Sequence, residues 1–318
     1  MGIRGLNTLI KKLCPESMIT RDISYYNGKS FIIDASILMY KFRHISTMNE
    51  SLKINSHIIG FINRIKFYLN NNIKPVFVFD GKPPIEKKNT LLKRQQNKTK
   101  IKEKIELLQD IDCNTSEEKD EINIEIKKLE SQVIYVTREH VNECKKLLEL
   151  LSIEYYDAPD EAEKYCVYLY KNGFGDYIVS DDTDVFTFGG NKVLKSSIKN
   201  NIIETDLDLF LTKTDYKFNK FIDLCILAGC DYLPFIPSLG INTVYTLFKK
   251  HDCIEDIIKL NKYSIPEDYN YENVRKIFTE YNYDIPVKQK LLDINKYELK
   301  KFLEEYKIKN TIKILDKF

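Results

Sequence analysis

Four short apolar runs in this chain each end on an aspartate: SFIID (30–34), PVFVFD (75–80), IEYYD (153–157) and YIVSD (177–181). Their β-branched and aromatic residues favour strands. Between the first two lie Leu38, Phe42, Ile58, Ile59, Phe61, Ile62, Ile65 and Phe67 at helix-compatible spacing. Strand, helix, strand predicts an α/β fold with a mostly parallel sheet, right-handed crossovers and flanking helices. The functional crevice of such a sheet lies outside the carboxyl ends of its strands, where these acids fall. The last run then continues through Asp181, Asp182 and Asp184 before turning apolar again. Like charges at the end of a buried strand are costly unless something neutralises them.

The acids at predicted strand ends and helix starts are Asp34, Asp80, Glu161, Glu163, Asp182, Asp184 and Asp231. Singly, each has an ordinary structural use. Asp34 can cap the helix that follows it, and Asp80 can open the turn DGKPP. Glu161 and Glu163 suit a first helical turn, and Asp231 a helix end. Together, with no arginine beside them, they call for a cation. All-oxygen donors without His or Cys favour Mg²⁺, with Mn²⁺ as the alternative, over zinc. Seven carboxylates exceed what one Mg²⁺ takes directly, so the reading is two ions about 4 Å apart. Such a pair activates a water and stabilises the leaving oxygen in phosphodiester hydrolysis.

The 318 residues carry a net charge of +2, so any basic surface must be local. Residues 85–150 are charged, helical in propensity and poor in strand signal, with a weak spot at DCNTSEE (112–118). The segment is basic from Lys82 to Lys104 and acidic from Glu106 to Glu130, as expected of an inserted helical hairpin or arch. Charge alone does not separate that arch from a solvated helix pair. Beyond residue 220 the chain reads as helical, with Pro234, Pro237 and Gly240 marking a tight connection. The expected organisation is one nuclease domain in four parts: 1–84, the arch 85–150, 151–235, and a helical region 236–318. Seven cysteines without a CxxC pair read as reduced thiols in an intracellular compartment: nucleus, cytoplasm or viral factory. Neither a membrane span nor a signal peptide is evident, and Leu6 breaks the myristoylation pattern that Met-Gly would open.

The order of these motifs resembles the flap endonuclease family of structure-specific 5′ nucleases. The matching stretches are MGIRGL, IDAS with Tyr40, FVFDGKPP, DAPDEAE, SDDTDVFTFG and LAGCDY, and they cover nearly the whole chain. The resemblance implies a first metal on Asp34, Asp80 and Glu161 with Glu163. It implies a second on Glu163, Asp182 and Asp184, with Asp231 acting directly or through water; Asp181 has no assigned role. Lys87 and Arg94 match the family's two catalytic basic positions, expected on one helix face two turns apart. Tyr40 resembles the aromatic that stacks a base beside the cleavage site, and Gly2 would lie close to DNA. PSLGINTVYTLFKKH (237–251) resembles the helix–two-turn–helix element, with Gly240 at the phosphate-gripping turn and K⁺ beside it. The chain departs there, with Ser238 at a family glycine and Ile241, Asn242 and Thr243 at a cationic run. Its last residues, IKILDKF, lack the family's sliding-clamp box. The implied function is Mg²⁺-dependent cutting of branched DNA at a 5′ flap by a monomer, in replication, repair or recombination. The alternatives are a 5′ exonuclease or four-way (Holliday) junction resolvase of the same superfamily, or a non-catalytic junction binder.

Overall fold

The aspartate-ended runs are strands of one sheet. The computed structural model describes residues 2–47, 55–111, 115–195, 200–308 and 311–316. Seven strands, β1 (Met18–Asp22), β2 (Ser30–Asp34), β3 (Lys74–Phe79), β4 (Tyr155–Asp157), β5 (Tyr177–Val179), β6 (Lys192–Leu194) and β7 (Asn201–Asp206), lie in the order β1-β7-β6-β5-β2-β3-β4. β2 runs parallel to both β3 and β5, and β5 parallel to β6. The expected mostly parallel sheet with flanking helices is therefore present. β6, β7 and β1 form an antiparallel edge that the sequence did not announce. β1 has no clean alternation of buried and exposed positions, and Ile19 is among its exposed residues. Its tie to the sheet is partly ionic, through Arg21 Nε on Glu204 at 3.1 Å, while Tyr26 donates to the same carboxylate at 2.8 Å.

Register decides where the acids go. Ile33 pairs with Val179 and Asp34 with Val78. Ser180 therefore follows β5 level with Asp34, and Asp80 follows β3 two residues beyond it. Pleated strands with common direction thus deliver their terminal carboxylates to one end of the sheet.

The chain divides into two compact units, Met1–Ala35 with Tyr68–Lys87 and Tyr156–Lys288, and Ser36–Phe67 with Lys88–Tyr155 and Gln289–Phe318. The first holds nearly all of the sheet. Its core joins Ile32, Val76 and Ile178 of the strands to Ala162, Cys166 and Leu169 of the helix Ala162–Lys171. Further helices (Leu6–Leu13, Leu207–Thr214, Phe218–Ala228, Ile241–Phe248, Tyr271–Thr279) extend that core through Leu9, Phe210, Phe221, Phe248 and Phe278.

The second unit is helical. In it Gly60 leaves room for the ring of Phe42, which a Cβ would strike. Two long helices, Lys88–Gln109 and Ser116–Glu130, pack on one another. The first buries none of its residues, as its charge density predicts. Capping boxes start the helix Ser116–Glu130 (Thr115 with Glu118) and the helix Arg138–Leu150 (Thr137 with His140). Residues 112–114 of the expected weak spot, Cys113 among them, lie outside the described residues. Backbone carbonyls of Leu292 and Tyr306 accept from Ser152 and Asn55, tying the last segment to this unit. Among the described residues six cysteines are free, five of them buried, and no helix is long and apolar enough to cross a membrane.

One ionic clamp holds the helical end of the first unit. Arg275 reaches Asp223 through Nε at 2.5 Å and Nη2 at 2.6 Å, and Glu255 through Nη1 at 2.6 Å and Nη2 at 2.8 Å. Asp223 in turn accepts from the backbone N–H of Ile254 at 3.1 Å, so one guanidinium ties three helices. These bonds hold the Glu255 carboxyl at about 2, below the ordinary 4.5. A depressed carboxyl stabilises the fold above its ordinary value and loses that contribution as pH falls through its folded one. Arg275→Met should therefore lower the melting temperature at neutral pH. It should also flatten the fall in melting temperature that wild type shows from pH 4.5 towards 2, read by circular dichroism at each pH.

Candidate metal centre

Four of the predicted ligands follow or end strands, the two glutamates open a helix, and Asp231 lies just past the helix Phe218–Ala228. Asp34 ends β2, is buried, and accepts from Ser180 Oγ at 3.2 Å. Asp80 follows β3 and accepts from the N–H of Ala162 at 2.9 Å, capping the helix that carries the two glutamates. Glu161 is the residue before that helix and Glu163 lies in its first turn. Asp182 and Asp184 follow β5, and Asp182 Oδ1 accepts from the N–H of Asp184 at 3.0 Å. The bend is tight enough that Gly2 presses on it: a Cβ there would collide with Asp182 Oδ1 and Thr183 Oγ1. Gly2 is therefore demanded by the acidic turn itself. A cavity of about 440 Å³ opens beside this contact, lined by Gly2, Arg4, Asn7, Thr183 and Asp231 among others.

Burial and mutual repulsion mark these carboxyls. Burial first, then Asp34, Asp80 and Asp182, push Glu163 well above the carboxylate range. Burial, then Asp182, does the same to Asp184, and burial raises Asp182. Both side-chain oxygens of Asp184 are buried without a hydrogen-bond partner. A native protein leaves so few buried acceptors unsatisfied that such a pair points to a missing cation. The donor set of buried carboxylate oxygens suits a hard divalent ion. Among the described residues no three His, Cys, Asp or Glu side chains already stand arranged to hold one.

Part of the neutralising charge is a lysine. Lys87, 8% exposed, places its ammonium on Glu161 and 3.7 Å from Asp231. Burial alone would lower its pKa, but Glu161 and then Glu163 outweigh that and raise it, so Lys87 is charged. Lys87 closes the 3₁₀ turn Ile85–Lys87 and the long helix starts at Lys88. The expected face shared with Arg94 on one helix is thus corrected: Lys87 lies in a 3₁₀ turn, whose three residues per turn do not keep the α-helical facing that the seven-residue spacing assumes. Arg94 is half-buried on the helix Lys88–Gln109 of the other unit. Asp181 is half-buried beside the acidic turn.

Other partners had a weaker signal. Tyr232 donates its hydroxyl to Glu161 Oε2 from the residue after Asp231, and Ser180 directly precedes the acidic run. Both lie inside motif stretches, SDDTDVFTFG and LAGCDY, that assign them no role of their own. In the helical unit, Tyr40 and Tyr135 are 42% and 45% exposed. Lys98 lies 5.8 Å from the ring centre of Tyr40 and 4.6 Å from that of Tyr135, with Lys102 4.8 Å from the latter. Lys104 pairs with Glu125 at 2.6 Å, and the Lys98 ammonium donates to the carbonyl of Ile134 at 2.6 Å. The result is an alternation of aromatic faces and cations.

Gly240 caps the helix Ile241–Phe248 with ordinary negative φ, and a Cβ there would meet nothing. The left-handed residue of this turn is Ser238, at φ 68°. The turn demanded of a glycine is thus kept by a serine, at a cost of roughly 1–2 kcal/mol.

The XPG N-terminal domain matches residues 1–101 and the XPG I-region residues 152–231. Flap endonuclease 1-A of Sorghum bicolor is 36% identical over 306 residues, covering 90% of this chain and 77% of the relative. The catalytic core of Rad2 in complex with DNA substrate superposes with a TM-score of 0.73 at 22% identity, over 96% of this chain and 94% of that one. Human GEN1 in complex with Holliday junction DNA does so at 0.69 and 20% identity, over 97% and 76%.

Asp184→Asn should melt higher than wild type without metal and lose most of the rise that Mg²⁺ gives. A carboxyl whose folded pKa is raised destabilises the fold increasingly as pH climbs above the ordinary 3.8. The metal-free gap between variant and wild type should therefore widen with pH, as differential scanning fluorimetry would measure.

Proposed function

This chain belongs to the flap endonuclease family, and from that premise we propose that it cuts 5′ single-stranded flaps where they meet duplex DNA. It is a structure-specific nuclease that hydrolyses phosphodiester bonds, binds DNA and uses divalent metal. The observation that carries the metal-dependent chemistry is the unsatisfied, buried carboxylate of Asp184 amid like charges at the strand ends. We assign a first Mg²⁺ to Asp34, Asp80 and Glu161 with Glu163, and a second to Glu163, Asp182 and Asp184 with Asp231. Bound there, two such ions supply an activated water and offset charge on the leaving oxygen.

The chain's own residues do the rest. Tyr232 and Ser180 hold the carboxylates of Glu161 and Asp34 in orientation. Lys87, charged and already at the carboxylates, is the donor for a non-bridging phosphate oxygen, and Arg94 is the family's second basic position. Tyr40 and Tyr135 offer π-faces to unpaired bases, with Lys98 and Lys102 for the phosphates between them. Base stacking of this kind contributes roughly 1–3 kcal/mol per base. Gly240 and the N–H groups opening the helix Ile241–Phe248 take a duplex phosphate, with K⁺ beside them. The reading is of a monomer acting in replication, repair or recombination.

The test is a panel of flap, nicked, blunt duplex and four-way substrates with and without Mg²⁺. Mg²⁺-dependent single-turnover cleavage should be fastest on the flap, leaving a 5′-phosphate; preference for the four-way junction would reassign the substrate. Lys87→Ala should slow the chemical step by about 10²-fold with little change in flap affinity. Tyr135→Leu should weaken flap binding and spare the step at saturation.

A further inference from the structure

Glu161 is held at both ends. Its carboxylate takes the Lys87 ammonium and the Tyr232 hydroxyl. Its backbone N–H is held by the preceding residue, donating to Asp160 Oδ1 at 2.8 Å. Asp160 is itself fixed from three directions. Its backbone carbonyl accepts from Gly81 N–H at 2.7 Å, just past Asp80. Its carboxylate accepts from the Tyr283 hydroxyl, at 2.5 Å from Oδ1 and 2.6 Å from Oδ2. Lys164 Nζ lies 3.9 Å from Oδ2.

Tyr283 comes from a stretch without regular secondary structure, 120 or so residues further along the chain, yet it is closely held. Its ring meets Tyr165 edge-on at 5.3 Å and Tyr168 at 5.1 Å, and its carbonyl accepts from Tyr168 Oη at 2.9 Å. Tyr165 and Tyr168 belong to the helix that Glu161 opens. Lys164 sits 5.6 Å from the Tyr283 ring centre and 5.8 Å from that of Tyr281. The segment thus grips one helix through its ring and the start of the same helix through its hydroxyl.

We infer that Tyr283 is a positioning residue for the metal centre: through Asp160 it fixes the backbone from which Glu161 reaches the ion. The inference rests on Glu161 being a metal ligand. Packing alone would need only the ring, which Tyr165 and Tyr168 already engage; the hydroxyl is spent on a carboxylate one residue from the ligand. Partners behind a ligand typically set metal affinity by 10- to 100-fold. The hydroxyl and the Asp160 carboxylate act in series, so removing either should remove the same effect.

Calorimetric titration of the DNA-free protein with Mn²⁺ tests this without recourse to catalysis. Tyr283→Phe keeps the ring, so its melting temperature should stay near wild type while Mn²⁺ affinity falls about 10-fold. Asp160→Ala should match it, and the double variant should be no weaker than Asp160→Ala. Asp160→Asn, which can still accept both bonds, should bind nearly as wild type does. In cleavage, Tyr283→Phe should need more Mg²⁺ for half-saturation and recover at saturating metal. Wild-type affinity in Tyr283→Phe, or a loss that only tracks a fall in melting temperature, would overturn the inference. A wild-type protein that binds no Mn²⁺ at all would remove the ligand reading of Glu161 on which it stands.

Discussion

Crowding of like charge at one end of a parallel sheet is the constraint on which the rest of this protein turns. Asp34, Asp80, Asp182 and Asp184 arrive there because strands of common direction must stop together, and the glutamates because a crossover helix begins there. The electrostatic cost is visible in Glu163 and Asp184, whose carboxyls are driven towards the neutral form by burial and by each other's neighbours. Such a site is unstable by itself and strongly attractive to a cation, which is what a metal-dependent nuclease requires. The buried Lys87 supplies one positive charge within this crowd, against Glu161 and Asp231.

The same logic explains the supporting cast. Gly2 is needed because the acidic turn leaves no space for a side chain. Ser180, Tyr232 and the capping N–H of Ala162 each take one oxygen of a carboxylate in this crowd, limiting its orientations. Tyr283 and Asp160 extend that restraint to the backbone. The DNA contact proposed for the helical unit is of another kind. Its exposed tyrosines, with lysine ammoniums beside their rings, are suited to a flexible strand carrying both a π-face and a phosphate at every step.

The centre of the fold was legible because its signal is local: an apolar run closing on Asp34, Asp80 or Asp181 marks both a strand and the end of it where the acids gather. β1, β6 and β7 were not, being short or half-exposed, with an edge held by Arg21, Glu204 and Tyr26 from distant parts of the chain. That Lys87 falls in a 3₁₀ turn ahead of the helix carrying Arg94 was not legible, because residue spacing alone does not separate a 3₁₀ turn from an α turn. Tyr135 and Tyr283 carry no motif of their own, and Asp160 stands in DAPDEAE without a role that the motif assigns; only tertiary contact gives the three their meaning. At the helix–two-turn–helix element the substitution at Ser238 was legible, but not that the serine would keep the left-handed turn.

The central claim is that these carboxylates are a two-ion site. Anomalous diffraction from crystals soaked in Mn²⁺ addresses it directly. Two peaks about 4 Å apart are expected, one against Asp34, Asp80 and Glu161 and one against Asp182 and Asp184, with Glu163 near both. Density showing no ion there at saturating Mn²⁺, with Lys87 still the only cation at Glu161, would contradict it.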